Sequence, residues 1–454
     1  MACPVRTPRA FVAAAVIASL LLASVQPALA TNATNLLGYS AASQGMGGSG
    51  SAGLLDISII NTNPATLSLI PDNKDRDPQS AISGGVAGFN LGVLQPYLHH
   101  TDAFGNDREG ENNPFIAIHG GAAFRLRALP RLTFGLGLFS QSGLGSEFRG
   151  LRTVFGTRDE VTSYERFVKL QSAVSYQVTE NLSIAAGPYL GYSDLTLQVF
   201  PRTGAPPVFA GLAIGDRCAR NFGVGEPGSD CPWTVVAGAK VGATYRVTPQ
   251  VTVGVAYTSP GEFDYRHGTA NVNFTGGASG RVRYDVEVDG ITHPQFVQGG
   301  LAYRPTPRWL LALDVSWHDW SVFEEFTIHL RNPSRAGAPA KIDIVTPEHW
   351  RDQYVVAIGA AYEVVRDMIT LRGGYNYANN PSPSATFGPA IQVPFEHHVT
   401  AGAGYRTGPV ELDLGFIYAF EKKVTYTNNS MPFGPNATEK PSGFSVDLTV
   451  GYRF

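Results

Sequence analysis

The sequence predicts an all-β fold: a transmembrane antiparallel β-barrel of about fourteen strands with an N-terminal hatch, or plug, in its lumen. Three observations carry that expectation. From about Gln79 onward, apolar and polar residues alternate in segments of roughly ten, the weak but repeated pattern of barrel strands. The connections between these segments are alternately short and long, so that one rim carries turns and the other carries loops. The composition combines 43% hydrophobic residues and 51 Gly with only 16% charged residues, which suits a protein whose outer face meets lipid.

The first thirty residues place the chain in a compartment. Arg6 and Arg9 precede an apolar run from Phe11 to Ala23, and Ala28-Leu29-Ala30 follows, the order of a secretory signal peptide ending in an A-x-A cleavage site. Residues 1–30 are therefore read as a signal peptide. The run is too short to span a bilayer, and no later stretch approaches the ~20 apolar residues a membrane helix needs. Export combined with a barrel pattern points to the outer membrane of a Gram-negative bacterium, with outer-membrane lipid as the partner of the outer face. Of the 34 Lys and Arg, two leave with the signal, and 32 remain against 37 acidic residues. Nucleic-acid binding, which needs a basic face, is excluded.

Residues 79–454 form the expected barrel. The last strand is the clearest. Phe444, Val446, Leu448, Val450, Tyr452 and Phe454 point one way, and Ser445, Asp447, Thr449, Gly451 and Arg453 point the other. The same period recurs from Val235 to Arg246 and from Val410 to Phe420. Trp309, Trp317, Trp320, Tyr354, Tyr362, Tyr405, Tyr418 and Tyr452 fall near strand ends and read as interfacial girdles. Single strands are expected over 250–268 and 308–330, short turns at Thr179-Glu180 and Thr248-Pro249, and long loops over 201–231 and 331–351.

About fourteen strands enclose more space than wall side chains fill, since filling works near eight strands and an aqueous channel appears near sixteen. Residues 31–78, rich in Gly, Ser and Asn and lacking strand alternation, are the expected occupant. Cys218 and Cys231 share one Gly/Pro-rich stretch, and in an exported chain they read as a disulfide across a loop. Zinc there lacks a second ligand pair, because no His lies between Ala210 and Thr258. His99-His100 and His397-His398 put neighbours on opposite faces of an extended chain, so neither pair chelates a metal as a unit. Gly48-Ser49-Gly50-Ser51-Ala52-Gly53 matches G-x-G-x-x-G without the preceding strand that a dinucleotide site requires. No G-x-S-x-G elbow positions a nucleophile. No cofactor, metal or enzymatic activity is expected.

Within the N-terminal segment, Gln44-Gly45-Met46-Gly47-Gly48-Ser49-Gly50 leads to Asp56 and then to Asn63-Pro64-Ala65-Thr66-Leu67. This resembles the hatch of the FadL/TodX (OmpP1) family of outer-membrane transporters of hydrophobic compounds, although Ser49 replaces the usual Ala and Thr66 the usual Gly. The resemblance continues in Phe134-Gly135-Leu136-Gly137-Leu138-Phe139, Gly143-Leu144-Gly145-Ser146, Ala256-Tyr257-Thr258-Ser259-Pro260 and Trp317-His318-Asp319-Trp320. It also covers Leu371-Arg372-Gly373-Gly374-Tyr375, Asn380-Pro381-Ser382-Pro383 and Ala403-Gly404-Tyr405-Arg406. It implies a monomeric barrel that captures a hydrophobic small molecule in its loops. The hatch then shifts at Asn63, Pro64 and Ala65, and the ligand leaves sideways through a kink in the third strand.

Gly143 and Gly145 are the candidates for that kink, or simply leave room for neighbouring side chains. Asn63-Pro64 alone is also an ordinary turn initiator. Long-chain fatty acids are the first expected ligand class and aromatic hydrocarbons the alternative, a general porin or a structural barrel being the competing functions. The ligand classes divide on whether a cation awaits a carboxylate, with Arg152, Arg158, Arg331, Arg335 and Lys341 as loop candidates.

Overall fold

The computed structural model describes residues 31–72, 80–205, 209–215, 231–275, 280–390, 395–428 and 433–454. The signal peptide (1–30), Cys218 and the junction at 78 and 79 lie outside the described residues. Apolar-polar alternation produces long antiparallel strands because successive side chains face opposite sides. Ile82–Tyr97 pairs with Phe115–Leu126, followed in order by Leu132–Arg152, Arg158–Gln177, Leu182–Ala205 and Trp233–Arg246. The ladder continues through Val251–Thr258, Phe296–Tyr303, Trp309–His318, Gln353–Val365 and Ile369–Ala378. It ends with His397–Thr407, Val410–Ala419 and Ser442–Arg453, and the last of these pairs back onto Ile82–Tyr97. Closure leaves this ring no open edge, as a bilayer requires.

The two faces differ as the alternation demands. On the last strand Leu448 is 48% exposed and Asp447 fully buried. Outward-facing Phe89, Leu136, Leu190, Val235, Ile358 and Leu414 continue the apolar band around the wall. Inside, Asp447 accepts from Asn90 Nδ2 (2.8 Å), and Thr449 Oγ1 donates to Asn90 Oδ1 (2.7 Å).

The sheet is larger than the fourteen segments expected: besides the strands of the closed ring it holds the loop-side strands described next and two short strands of the lumenal segment, Thr31–Asn32 and Asn35–Leu36, 21 in all among the described residues. The segment expected over 250–268 divides into Val251–Thr258 and Gly261–Asn273. Pro260 falls at the break and has no N–H for a ladder. The segment expected over 308–330 divides into Trp309–His318 and Glu325–Arg331 around a 3-10 turn, Trp320–Val322. Stretches read as loops supply Phe209–Ile214 and Lys341–Pro347. With Arg281–His293 they extend the sheet on the long-loop side.

His99 and His100 lie in a separate small sheet of His99–Thr101, Asp107–Glu109, Val424–Tyr426 and Ala437–Glu439. His100 sits between Asp102 (3.1 Å) and Glu439 (2.5 Å). Burial disfavours its charge, but the two carboxylates outweigh that and hold its pKa at about 9.

Candidate functional site: lumenal segment, wall seam and cavity

Residues 31–72 lie inside the ring, almost all of them buried. The segment has little regular structure, so its backbone groups must be satisfied by the wall. Asp314 accepts from the Ser51 amide (3.1 Å), Thr400 Oγ1 donates to Gly45 O (3.1 Å), and Thr449 Oγ1 accepts from the Ala41 amide (2.8 Å). Such close approach needs bare wall backbone. A Cβ on Gly359 would lie 2.4 Å from Ser49 Oγ, and one on Gly415 2.6 Å from Ala41 O.

Asn63-Pro64-Ala65 begins a 3-10 helix, Pro64–Leu69. Asn63 caps it by accepting from the Ala65 amide (3.2 Å), and Pro64 occupies the first turn, where no N–H is needed. The Asn63 Nδ2 donates to Ala243 O (3.3 Å) and Thr244 Oγ1 (3.2 Å). Its carboxamide lies against Gly242 and Gly254, where added Cβ atoms would come within 2.4 and 2.6 Å. Ala65 O accepts from Ser175 Oγ (3.1 Å). The polar contacts of the triplet therefore go to Arg158–Gln177 and Trp233–Arg246, and contact with the third strand is made elsewhere.

That contact is made by Gln141, which the sequence reading did not single out. The pairing of Leu132–Arg152 with Arg158–Gln177 shifts register between Ser140 and Ser142, the signature of a bulge. The buried Gln141 donates to Asn35 Oδ1 (2.9 Å) and Tyr39 Oη (2.6 Å), and accepts from Asn61 Nδ2 (2.9 Å). Ser142 pairs with Asn35 of the lumenal segment. A small cavity of about 60 Å³ adjoins this clamp, touching Asn35, Tyr39, Asn61 and His318.

On its other edge the third strand leaves its neighbour. Its ladder with Phe115–Leu126 stops at His119–Phe139, and Ser140 Oγ bridges to the Ile118 amide and carbonyl (both 3.1 Å). The strands are joined again where the Glu111 amide donates to Glu147 O (2.8 Å). Between these points no backbone bond joins them among the described residues. Phe115 lies across Gly143, where a Cβ would fall 2.0 Å from the ring, and Tyr164 lies across Gly145 at 2.3 Å. The ladder stays in register at both glycines, and the shift falls at Gln141.

Above the clamp is a cavity of about 270 Å³ lined by Leu195, Leu197, Phe263, Trp320, Phe323 and Phe326, with Trp350, Ile328 and Ile344 completing its apolar wall. Trp320, expected in a girdle, is 3% exposed and packs its ring 4.8 Å from Trp350. The 3-10 turn after His318 carries it inward. The loop residues Thr386 and Asn428 also line the cavity, and Asn428 Nδ2 donates to Thr386 O (2.8 Å). Among the described residues, the ionisable side chains of the lining are Glu165, His293 and Glu348, with no Lys or Arg. Burial pushes the Glu348 carboxyl up to about 8, against the bond it accepts from Trp350 Nε1 (2.9 Å). Arg152, Arg158, Arg331, Arg335 and Lys341 are not part of this lining. Arg331 and Lys341 pair with Asp343 at 2.5 and 3.1 Å. Cys231 is disulfide-bonded and buried.

A closed barrel with an apolar outer band, an occupied lumen and an apolar cavity among its loops defines an outer-membrane transport protein. Residues 19–454 match the family model described as outer membrane protein transport protein (OMPP1/FadL/TodX), and the chain belongs to that family.

The structure is similar to that of the Pseudomonas putida toluene transporter TodX, with a TM-score of 0.74 and 22% identity over 92% of this chain and 99% of that one. It is also similar to a Pseudomonas aeruginosa FadL homologue (TM-score 0.71, 17% identity, 92% and 99% covered). The Ralstonia pickettii toluene transporter TbuX gives a TM-score of 0.67 at 21% identity, again with 92% and 99% covered. A 47 kDa outer membrane protein of Pasteurella multocida is 25% identical over 237 residues, 48% of this chain. The match spans about half of that relative's length, 50%.

Proposed function

We propose that this barrel admits neutral hydrophobic compounds of monoaromatic size by passive diffusion. Ligand collects in the cavity beneath the loops and leaves through the seam between Phe115–Leu126 and Leu132–Arg152. The lumenal segment acts as a hatch, coupled to the seam by Gln141 through Asn35, Tyr39 and Asn61. The observation that carries the ligand class is the cavity lining, six of whose side chains among the described residues are Phe or Trp and none Lys or Arg. Its volume of about 270 Å³ suits a substituted benzene, given that an engineered apolar cavity of about 150 Å³ holds benzene. Burying about 150–250 Å² of ring surface contributes about 4–6 kcal/mol before association costs. Sideways exit returns none of it to water. TodX and TbuX, whose structures this barrel resembles, are both toluene transporters, which supports this reading.

The fatty-acid reading, first in the sequence analysis, draws support from one feature. Lys169 and Lys240 are buried in the lumen, with Nζ 5.0 Å from the Tyr189 ring centroid and 4.7 Å from that of Phe296. Neither has a carboxylate partner among the described residues. The two readings separate in equilibrium binding to the detergent-solubilised barrel. Labelled toluene should bind saturably and resist displacement by oleate. Saturable oleate binding that disappears in Lys240→Met would transfer the assignment to fatty acids.

Binding should also depend on pH. Glu348, with its pKa raised from the ordinary 4.5 to about 8, is neutral below about 8 and charged above it. Its charged form disfavours an apolar ligand, so toluene affinity should fall as pH rises through about 8. Glu165 and His293 face the same cavity, and the His349–Glu324 pair (2.7 Å) lies beside Glu348 in the chain. Comparing wild type with Glu348→Gln at pH 7 and above pH 9 assigns the effect, which should vanish in the variant.

A further inference from the structure

The cavity wall is not uniformly apolar. Trp320 and Glu348 both line it, each at most 3% exposed, and both contact Trp350. The buried Trp320 Nε1–H has no hydrogen-bond partner among the described residues. Glu348 accepts a bond from Trp350 Nε1, and this is the only partner of its carboxyl among the described residues. Several other polar groups of the lining are already engaged, although Thr34 Oγ1 is also without a partner among the described residues. Thr386 Oγ1 donates to Glu348 O (2.6 Å), Asn428 Nδ2 donates to Thr386 O and Phe387 O, and Glu165 accepts from Tyr265 Oη (3.3 Å). An indole donor and a carboxyl with spare capacity thus remain in one patch of an otherwise greasy wall. Buried polar groups are normally satisfied, and exceptions call for an explanation.

Resting on the proposed uptake of monoaromatic compounds, we infer that this patch selects ring compounds bearing one hydroxyl group. A hydroxyl oxygen accepts from Trp320 Nε1–H while its hydrogen donates to Glu348, and the ring packs on Trp350, Phe323 and Phe326. A carboxyl accepts this bond in either protonation state, because the oxygen that carries no proton keeps free lone pairs. A bare hydrocarbon fills the same space and leaves both groups unpaired. A site built to bond a hydroxyl rejects the analogue that lacks it, for that reason.

The probes are p-cresol and p-xylene, which differ only in hydroxyl against methyl, each competed against labelled toluene on the full-length detergent-solubilised barrel. In a purely apolar cavity p-xylene binds better, because the cresol hydroxyl gives up its water bonds without replacement. Here p-cresol should bind roughly tenfold tighter, as two modest hydrogen bonds would provide. Trp320→Phe should reduce that preference to about twofold or less, read as the ratio of p-cresol to p-xylene affinity in the same variant. Glu348→Met should do the same, and Trp320→Phe keeps the test valid if the Met variant folds poorly. Equal or tighter binding of p-xylene, with toluene still bound, overturns the hydroxyl selection and leaves the proposed uptake standing. Failure of toluene and both probes to bind overturns the uptake reading itself.

Discussion

Removing residues 31–70 should raise ion conductance in planar bilayers at least roughly tenfold, toward that of an open channel, because a ring this wide is not filled by its own side chains. The intact protein should conduct little, since the segment spans the lumen and bonds to the wall on several sides, at Thr449, Thr400, Asp314 and Thr244. A general porin would change little under the same deletion. Gly242→Val tests the point without shortening the chain. Its Cβ would fall 2.4 Å from Asn63 Oδ1, so the Asn63 carboxamide must leave its seat and give up its bonds to Ala243 and Thr244. Each lost bond costs about 1 kcal/mol. Conductance should then rise in brief openings. A silent Gly242→Val channel together with a silent deletion would remove the hatch from the mechanism.

Gly143→Val should cut uptake of labelled toluene by cells roughly tenfold while leaving equilibrium binding to the purified barrel unchanged, because overpacking of this kind forces neighbouring groups to shift. Even a methyl at this position would overlap Phe115, whose Cζ lies 2.0 Å from the added carbon. The branched side chain occupies the stretch where the two strands share no backbone bonds. Adding Phe115→Ala to Gly143→Val restores the space and should restore flux. Loss of binding together with uptake would indicate a damaged cavity. Unimpaired uptake in Gly143→Val would place the exit elsewhere in the wall.

Much of the architecture was legible because it is written locally. Period-two alternation at Phe444–Phe454 assigned lipid and lumen faces residue by residue, and the burial of Asp447 beside the exposed Leu448 follows it. The Gly- and Ser-rich segment after residue 30 was recognisable as lumen filler because it could be neither wall strand nor core helix. The strand breaks were less legible. Pro260 marks one break in the sequence, whereas the inward turn at Trp320–Val322 has no such local signal. Trp320 near a strand end reads the same whether it anchors in the interface or lines a cavity. The glycines under the lumenal segment also left a trace, since Gly242, Gly254, Gly359 and Gly415 lie on wall strands where side chains would otherwise be expected.

The sequence by itself determined the class of protein, an exported membrane barrel with an occupied lumen, because facing and export depend on neighbours one or two residues apart and on a short N-terminal pattern. Only the tertiary structure decided where the wall loosens and what the ligand meets. Gln141 is separated from Asn35 by 106 residues and from Asn61 by 80, and Glu348 and Trp320 join Leu195 and Phe263 around one cavity from distant parts of the chain. Alternation states which way a side chain points. Which groups it meets across the lumen depends on ring closure and strand register, and no local window of sequence contains either.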